Sequence, residues 1–135
     1  MRKLLFVHFI LCLFSFSLIA QIQSGPMVGY SEMREVLLWV QTKQGAKAKF
    51  IYWEQGNAAQ KWTTDEVTTQ KNTAFVARLI ADQVQPGKKY DYEVWIDGKK
   101  AAINYPLSFQ SQTLWQWRTE PPAFKFDFGC CAYVN

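Results

Sequence analysis

The sequence predicts an all-β domain, an antiparallel β-sandwich, and three observations support this prediction. Short segments in which apolar and polar residues alternate recur along the chain, which is the periodicity of half-buried strands. Turn-forming residues separate these segments at regular intervals, as they do in sandwiches. Finally, a Pro86-Gly87 turn leads directly into a strand that begins near Tyr90.

The segment from Val84 to Ile96 is the most informative of these. After the Pro86-Gly87 turn, the side chains alternate between a face that carries Tyr90, Tyr92, Val94 and Ile96 and a face that carries Asp91, Glu93, Trp95 and Asp97. This order is typical of a tyrosine corner, in which the hydroxyl of a tyrosine bonds to the upstream backbone. The spacing resembles the fibronectin type III version, with Tyr90 in the corner position. Because unrelated proteins share this sandwich, the segment predicts fold more strongly than function.

Residues 1–20 predict a secretory signal peptide. Arg2 and Lys3 give a charged start, residues 4–19 are mostly apolar, and Ala20 precedes a polar residue. We therefore expect cleavage after Ala20 and a protein that is secreted, periplasmic or at the cell surface, with no membrane contact after cleavage. The apolar run is short for a membrane-spanning helix, which needs about 20 apolar residues; the alternative is an uncleaved anchor.

Charge and cysteine content exclude two classes of protein. Without residues 1–20, Lys plus Arg falls from 15 to 13 against 11 Asp plus Glu, so the net charge falls from +4 to +2. The remaining lysines are scattered, so no nucleic-acid partner is expected. The only cysteines after residue 20 are Cys130 and Cys131, and neighbouring cysteines bridge only with strained geometry. A disulfide framework is therefore not expected, and an aromatic core must hold the domain.

The first half of the mature chain predicts three strands, at 23–30, 35–42 and 46–54. The second and third are apolar on both faces, so one face would meet the core and the other a second surface. That second apolar surface would carry Leu37, Trp39, Ile51, Trp53 and Trp95.

The second half completes the sandwich. Residues 58–71 predict a polar loop with a short edge strand near Trp62. For residues 73–82, the alanines would allow a helix, whereas the alternation of Phe75, Ala77 and Leu79 indicates a strand. We favour the strand. Asp97-Gly98 is a hairpin turn signal, and the last strand is predicted at 107–113.

The end of the chain has a different organisation. Residues 120–122 read Glu-Pro-Pro, a stiff linker, and Phe124, Phe126 and Phe128 then alternate with polar residues as in a new strand. We therefore assign residues 21–119 to the sandwich. Residues 120–135 are assigned to a linker and the first strand of a second domain whose remainder is missing here.

The residues alone predict no complete catalytic site. The only histidine is His8, inside the signal peptide, so histidine triads and histidine metal sites are excluded for the mature part. Asp91 and Glu93 share a strand face, either as an acid pair or, as we favour, simply as exposed residues. Cys131 follows a glycine and a strand, where it would act either as a metal ligand or as a buried inert cysteine.

Five segments of the chain together carry a family resemblance. They are Gly-Pro-Met-Val-Gly at 25–29, Leu-Trp-Val-Gln-Thr at 38–42, Pro-Gly-Lys-Lys-Tyr-Asp-Tyr at 86–92, Trp-Arg-Thr at 117–119 and Phe-Gly-Cys-Cys-Ala-Tyr-Val-Asn at 128–135. In this order they resemble the N-terminal part of PhoD-like alkaline phosphatases, a family of secreted metallophosphoesterases. The resemblance implies an immunoglobulin-like or fibronectin-like domain that precedes a large α/β metallophosphatase domain. It also implies that Cys131 matches a cysteine that binds iron alongside calcium. Cys130 stands where the family usually has a serine. The role that the serine hydroxyl plays in the family therefore stays open for this chain.

The resemblance further implies a non-catalytic accessory domain of a secreted alkaline phosphatase or phosphodiesterase. The catalytic domain would follow in cis beyond Asn135 and would supply the other metal ligands. We expect no phosphatase activity from these 135 residues, because one ligand cannot hold a catalytic metal. The alternative is a free-standing secreted sandwich that binds carbohydrate or protein through surface tryptophans.

Overall fold

The computed structural model describes residues 21–114, 123, 125 and 126. Within these residues the chain forms nine strands and one 3₁₀ turn at Lys71–Thr73. The strands are β1 (Ile22–Ser31), β2 (Val36–Thr42), β3 (Lys47–Glu54), β4 (Trp62–Thr63), β5 (Val67–Thr68), β6 (Val76–Ala81), β7 (Lys89–Ile96), β8 (Lys99–Lys100) and β9 (Ser108–Gln110). The predicted signal peptide at residues 1–20 and the Cys130-Cys131 pair lie outside the described residues, as does the predicted second-domain strand apart from residues 125 and 126.

The strands form two antiparallel sheets that enclose one core. One sheet has the order β1-β2-β6, and the other has the order β4-β3-β7-β8, with β5 beside β3 and β9 beside β7. This is the antiparallel β-sandwich of the immunoglobulin and fibronectin type III kind, and it confirms the predicted fold class.

Strict alternation builds the core. Along β2, β3 and β7 every second side chain is buried, which confirms the predicted inward faces. The largest fully buried side chains are those of Tyr52, Tyr90, Phe50, Leu38, Ile96, Val36, Val40 and Val94. Burying an apolar side chain of this size contributes about 1.5–3 kcal/mol, so the core stabilises the sandwich through apolar burial.

Aromatic rings fill one end of the core. Tyr90 stacks on Phe109 with ring centroids 5.2 Å apart, and Tyr52 stacks on Trp62 at 5.9 Å. Tyr52 and Tyr90 pack edge to face, with their ring centroids 6.3 Å apart. Such pairs contribute about 0.5–1.5 kcal/mol beyond the area that they bury.

The predicted tyrosine corner is present, and a second tyrosine reinforces it. The hydroxyl of Tyr90 accepts a hydrogen bond from the backbone N–H of Gln85 at 2.7 Å, across the Pro86-Gly87 turn. The hydroxyl of Tyr52, on β3, accepts one from the backbone N–H of Gln83 at 2.9 Å. Two buried phenols therefore hold the loop between β6 and β7, which crosses from one sheet to the other.

The segment predicted at 73–82 is a strand, as favoured, but it begins later. Ala74 and Phe75 have φ angles of +52° and +56°, a left-handed conformation that an extended strand cannot include. β6 therefore starts at Val76. The predicted hairpin at Asp97-Gly98 is confirmed, since both residues have the positive φ that a type I′ turn requires.

We expect Tyr90→Phe and Tyr52→Phe each to lower the free energy of unfolding by about 1–3 kcal/mol, because each leaves a backbone N–H of the crossing loop without its acceptor. Urea unfolding of residues 21–119 measures this. Tyr105→Phe is the matched control, because Tyr105 is 45% exposed, whereas Tyr52 and Tyr90 are fully buried, and its hydroxyl also bonds to the backbone, at the carbonyl of Pro26. Equal losses in all three variants would contradict the importance of the corner.

Burial raises the pKa of Tyr52 and of Tyr92 to about 12. An unfolded tyrosine has a pKa of about 10, so this contribution to stability is present below about pH 10 and is lost as the pH rises to about 12. Circular dichroism with tyrosinate absorbance should show unfolding coupled to ionisation in that range. Tyr92→Phe should remove about half of the stability loss between about pH 10 and pH 12, since the substituted ring cannot ionise. An unchanged alkaline transition would contradict the contribution of Tyr92 to that loss.

Candidate interaction surfaces

The predicted second apolar surface is in fact two surfaces, so its interpretation as one is wrong. Leu37 and Trp39 point outward from β2, in the three-stranded sheet. Ile51, Trp53 and Trp95 point outward from β3 and β7, in the other sheet. Because the two sheets face each other across the core, their outer faces look in opposite directions.

The β3–β7 face carries a carboxylate that has several partners. Glu93 lies opposite Ile51 in the register, and only 14% of its side chain is exposed. Its carboxylate lies 3.0 Å from the ammonium group of Lys100 and 3.7 Å from that of Lys61. The indole N–H of Trp95 donates to it at 3.2 Å.

These partners determine the charge of Glu93. Burial acts to raise the pKa of Glu93, but the hydrogen bonds from Lys100 and Trp95 and the charges of Lys100 and Lys61 outweigh it, and the pKa is lowered. The ammonium group of Lys61 also lies 4.2 Å from the ring centre of Trp53. The network therefore ties the loop before β4 and the β8 hairpin to the sheet.

Asp91 and Glu93 share this face, as predicted, but they bind different partners. An oxygen of Asp91 accepts a hydrogen bond from the side chain of Gln55 at 2.7 Å, whereas Glu93 binds the lysines. The structure thus shows two separately paired carboxylates. Glu93 is mostly covered, contrary to the expectation of a simply exposed residue.

The outer face of the three-stranded sheet is apolar and more open. Met27 lies opposite Trp39, Tyr30 lies opposite Leu37, and Leu37 lies opposite Ile80. Met27 is 49% exposed, Tyr30 39% and Ile80 36%. We call these five residues the β1–β2–β6 face.

Two glycines let the larger side chains of this face lie against β1. A Cβ atom at Gly25 would come within 3.1 Å of the Trp39 ring, and one at Gly29 within 2.8 Å of a Leu37 methyl group. Because glycine has no Cβ atom, the side chains of Trp39 and Leu37 can lie directly over β1, the neighbouring strand. The segment 25–29 that carries the resemblance is thus part of this face.

One end of the β1–β2–β6 face lies beside the end of the continuously described stretch, residues 21–114. The N–H of Gln112 donates to the carbonyl of Glu32 at 3.1 Å, in the turn between β1 and β2. A cavity of about 350 Å³ is lined there by Glu32, Met33, Arg34, Glu35, Pro86 and Leu114. The hydroxyl of Tyr30 donates to Glu35 at 2.8 Å, and this bond contributes most to raising the pKa of Tyr30.

The described residues hold no metal centre of their own. Within 21–114, 123, 125 and 126, no three His, Cys, Asp or Glu side chains come together as metal ligands would. Cys131, the predicted iron ligand, lies outside these residues, so its role stays a prediction. In the same part of the chain, no helix is long and apolar enough to cross a membrane.

Sequence reasoning missed two features of these surfaces. Lys61 and Lys100 come from a loop and a hairpin that alternation cannot place, so their approach to Glu93 was not predictable. Ile80 was identifiable, because the alternation that puts Leu79 in the core puts Ile80 on the outside.

We expect Glu93→Gln to lower the free energy of unfolding by about 1 kcal/mol at neutral pH, because it removes the charge that both lysines bind. The pKa of Glu93 is lowered in the folded state, so the charged form stabilises the fold above the unfolded value of about 4.3 and loses this effect as the pH falls through the folded value. The difference in unfolding free energy between Glu93→Gln and the wild type should therefore become smaller at acidic pH.

Urea unfolding at about pH 7 and about pH 3 measures this difference. Glu66→Gln is the control, since its contacts with Lys47 and Lys49 are 3.7 Å and 3.9 Å long and more exposed. A variant difference that stays constant with pH would contradict the ionic contribution of Glu93.

Comparison with known proteins places the chain in a family. The model of a domain of unknown function, DUF7800, matches residues 19–114. No curated protein sequence matches the chain. Among solved structures, the chain is similar to the sensor domain of the anti-sigma factor RsgI4 from Pseudobacteroides cellulosolvens, with a TM-score of 0.55, 13% identity and coverage of 76% of this chain and 98% of that chain.

The chain is also similar to a structure of PhoD, with a TM-score of 0.54 and 14% identity. That match covers 64% of this chain but only 18% of the PhoD chain. At these identities the two structures support the sandwich fold alone. The family match covers most of the chain, and the chain therefore belongs to the DUF7800 family, a domain of unknown function.

Proposed function

We propose that this chain is the non-catalytic accessory domain of a secreted PhoD-like alkaline phosphatase or phosphodiesterase. A catalytic domain that hydrolyses phosphate esters would follow it in cis. The observation that carries the proposal is the ordered set of five segments that resemble PhoD-like enzymes. The fold shared with part of a PhoD chain is consistent with it, although a shared sandwich does not specify function.

Three of the five segments lie in the described residues, and each has a definite structural place. Residues 25–29 supply the glycines under Trp39 and Leu37, residues 38–42 form most of β2, and residues 86–92 form the tyrosine corner. The resemblance therefore follows features on which the sandwich depends. This supports a common domain type.

Iron and calcium belong to the proposed catalytic domain. The described residues do not fit such a centre, because no cluster of ligand side chains forms among them. Cys131 would be the contribution of this chain to the iron site, and residues 1–20 would direct the enzyme out of the cytoplasm.

The first test is the genomic sequence after the codon for Asn135. We expect an in-frame continuation of several hundred residues with Asp, Asn and His metal ligands. A stop codon at that point would overturn the proposal.

The second test is activity. The full gene product, supplied with iron and calcium, should hydrolyse p-nitrophenyl phosphate or its diester, whereas residues 21–119 should not. Cys131→Ala should reduce the activity of the full product by at least about 100-fold, because a lost metal ligand weakens both metal binding and Lewis-acid chemistry.

Cys130→Ser is the matched control and should retain iron, since serine is usual at that position in the family that the chain resembles. Metal analysis of both variants separates loss of the ion from loss of folding. Full activity in Cys131→Ala would contradict the role of the thiolate.

A second candidate is a free-standing sandwich that binds carbohydrate or protein. The open β1–β2–β6 face favours it, because aromatic and apolar side chains lie exposed there. Binding of residues 21–119 to a glycan or protein array, lost in a variant at Tyr30, would support this candidate, and the absence of any binding would count against it.

A further inference from the structure

We infer that the β1–β2–β6 face is the surface on which the following domain of the longer chain packs. This inference rests on the proposed function and selects one of the two outer faces of the sandwich. The partner would be a folded domain of the same polypeptide, joined through the residues after Leu114.

The two outer faces of the sandwich differ in how their charged and apolar side chains are covered. On the β3–β7 face, Glu93 already binds two lysines and Lys61 lies over the ring of Trp53. A partner there would have to displace or bury these charges, which is costly. On the β1–β2–β6 face, Met27, Tyr30 and Ile80 keep more than a third of their surface exposed.

Two glycines of β1 shape the β1–β2–β6 face. Gly25 and Gly29 allow Trp39 and Leu37 to lie against β1 rather than project from the sheet. The face is therefore a broad apolar surface on which Met27 and Tyr30 of β1 and Ile80 of β6 remain exposed, which suits packing against another folded domain. At its edge, Arg78 lies opposite Trp39 and binds no carboxylate within the described residues, so a carboxylate of the partner would complete the rim.

The continuously described stretch, residues 21–114, ends beside this face. The bond from Gln112 to Glu32 brings the chain to the turn between β1 and β2, and Leu114 is 53% exposed at the cavity there. The predicted second-domain strand begins about ten residues later, so the tether spans no more than roughly 35 Å. β2, with seven residues, is about 23 Å long. The tether therefore holds the next domain within reach of this face at high effective concentration.

Oxidation of methionine provides a direct test, because Met27 lies in the face and reacts when exposed. The probe is hydrogen peroxide or hydroxyl radical applied to the full gene product, and mass spectrometry measures sulfoxide formation at Met27. We expect Met27 to be protected in the wild type. Ile80→Lys, which puts a charge beside Leu37, should increase its oxidation rate at least about five-fold.

Thr63→Lys is the matched control, since it introduces the same charge at an exposed strand position of the opposite sheet. It should leave Met27 protected. Rapid oxidation of Met27 in the wild type, or an Ile80→Lys variant with wild-type protection, would overturn the inference. Protection that disappears on dilution, together with dimers in sedimentation, would identify a second copy as the occupant and would also overturn it.

Phosphate ester hydrolysis, measured on the same samples, separates this inference from the proposed function. An active wild type with an unprotected Met27 would retain the phosphatase proposal and reject the packing surface. A protected Met27 that Ile80→Lys exposes, in a product without hydrolytic activity, would support the packing surface and reject the phosphatase.

Discussion

The hydrogen bonds from the loop between β6 and β7 to two buried tyrosines are the constraint on which the sandwich depends. This loop carries the chain from one sheet to the other, and the backbone N–H groups of Gln83 and Gln85 bond to Tyr52 and Tyr90. The same rings stack with Phe109 and Trp62 in the core. The crossing and the aromatic core therefore form one unit, because the tyrosines that accept these part-buried bonds are themselves fully buried.

Much of this arrangement could be predicted from the sequence because its causes are local. Alternation identified the inward faces of β2, β3 and β7, and the spacing from Pro86 to Tyr90 predicted the corner bond. The bond to Tyr52 could not be predicted, since it joins residues 31 positions apart. The start of β6 depends on left-handed angles at Ala74 and Phe75, residue types that do not signal such a conformation.

The candidate surfaces were predictable only in part, for a physical reason. Alternation shows that a side chain points away from the core, but it does not show which sheet its strand joins. Trp39 and Trp53 therefore looked alike in sequence and lie on opposite sides of the sandwich. The long-range pairing of strands decides this, and it also brings Lys61 and Lys100 to Glu93.

The contrast between the two outer faces connects the fold with the proposed role. Exposed apolar surface promotes association, so a domain that works alone tends to cover it. The chain does so on the β3–β7 side, where Lys61 covers Trp53 and Glu93 holds the lysine in place. No such network covers Met27, Tyr30 or Ile80 within the described residues. Since the described stretch 21–114 ends beside that open face, a domain tethered there would cover Met27, Tyr30 and Ile80.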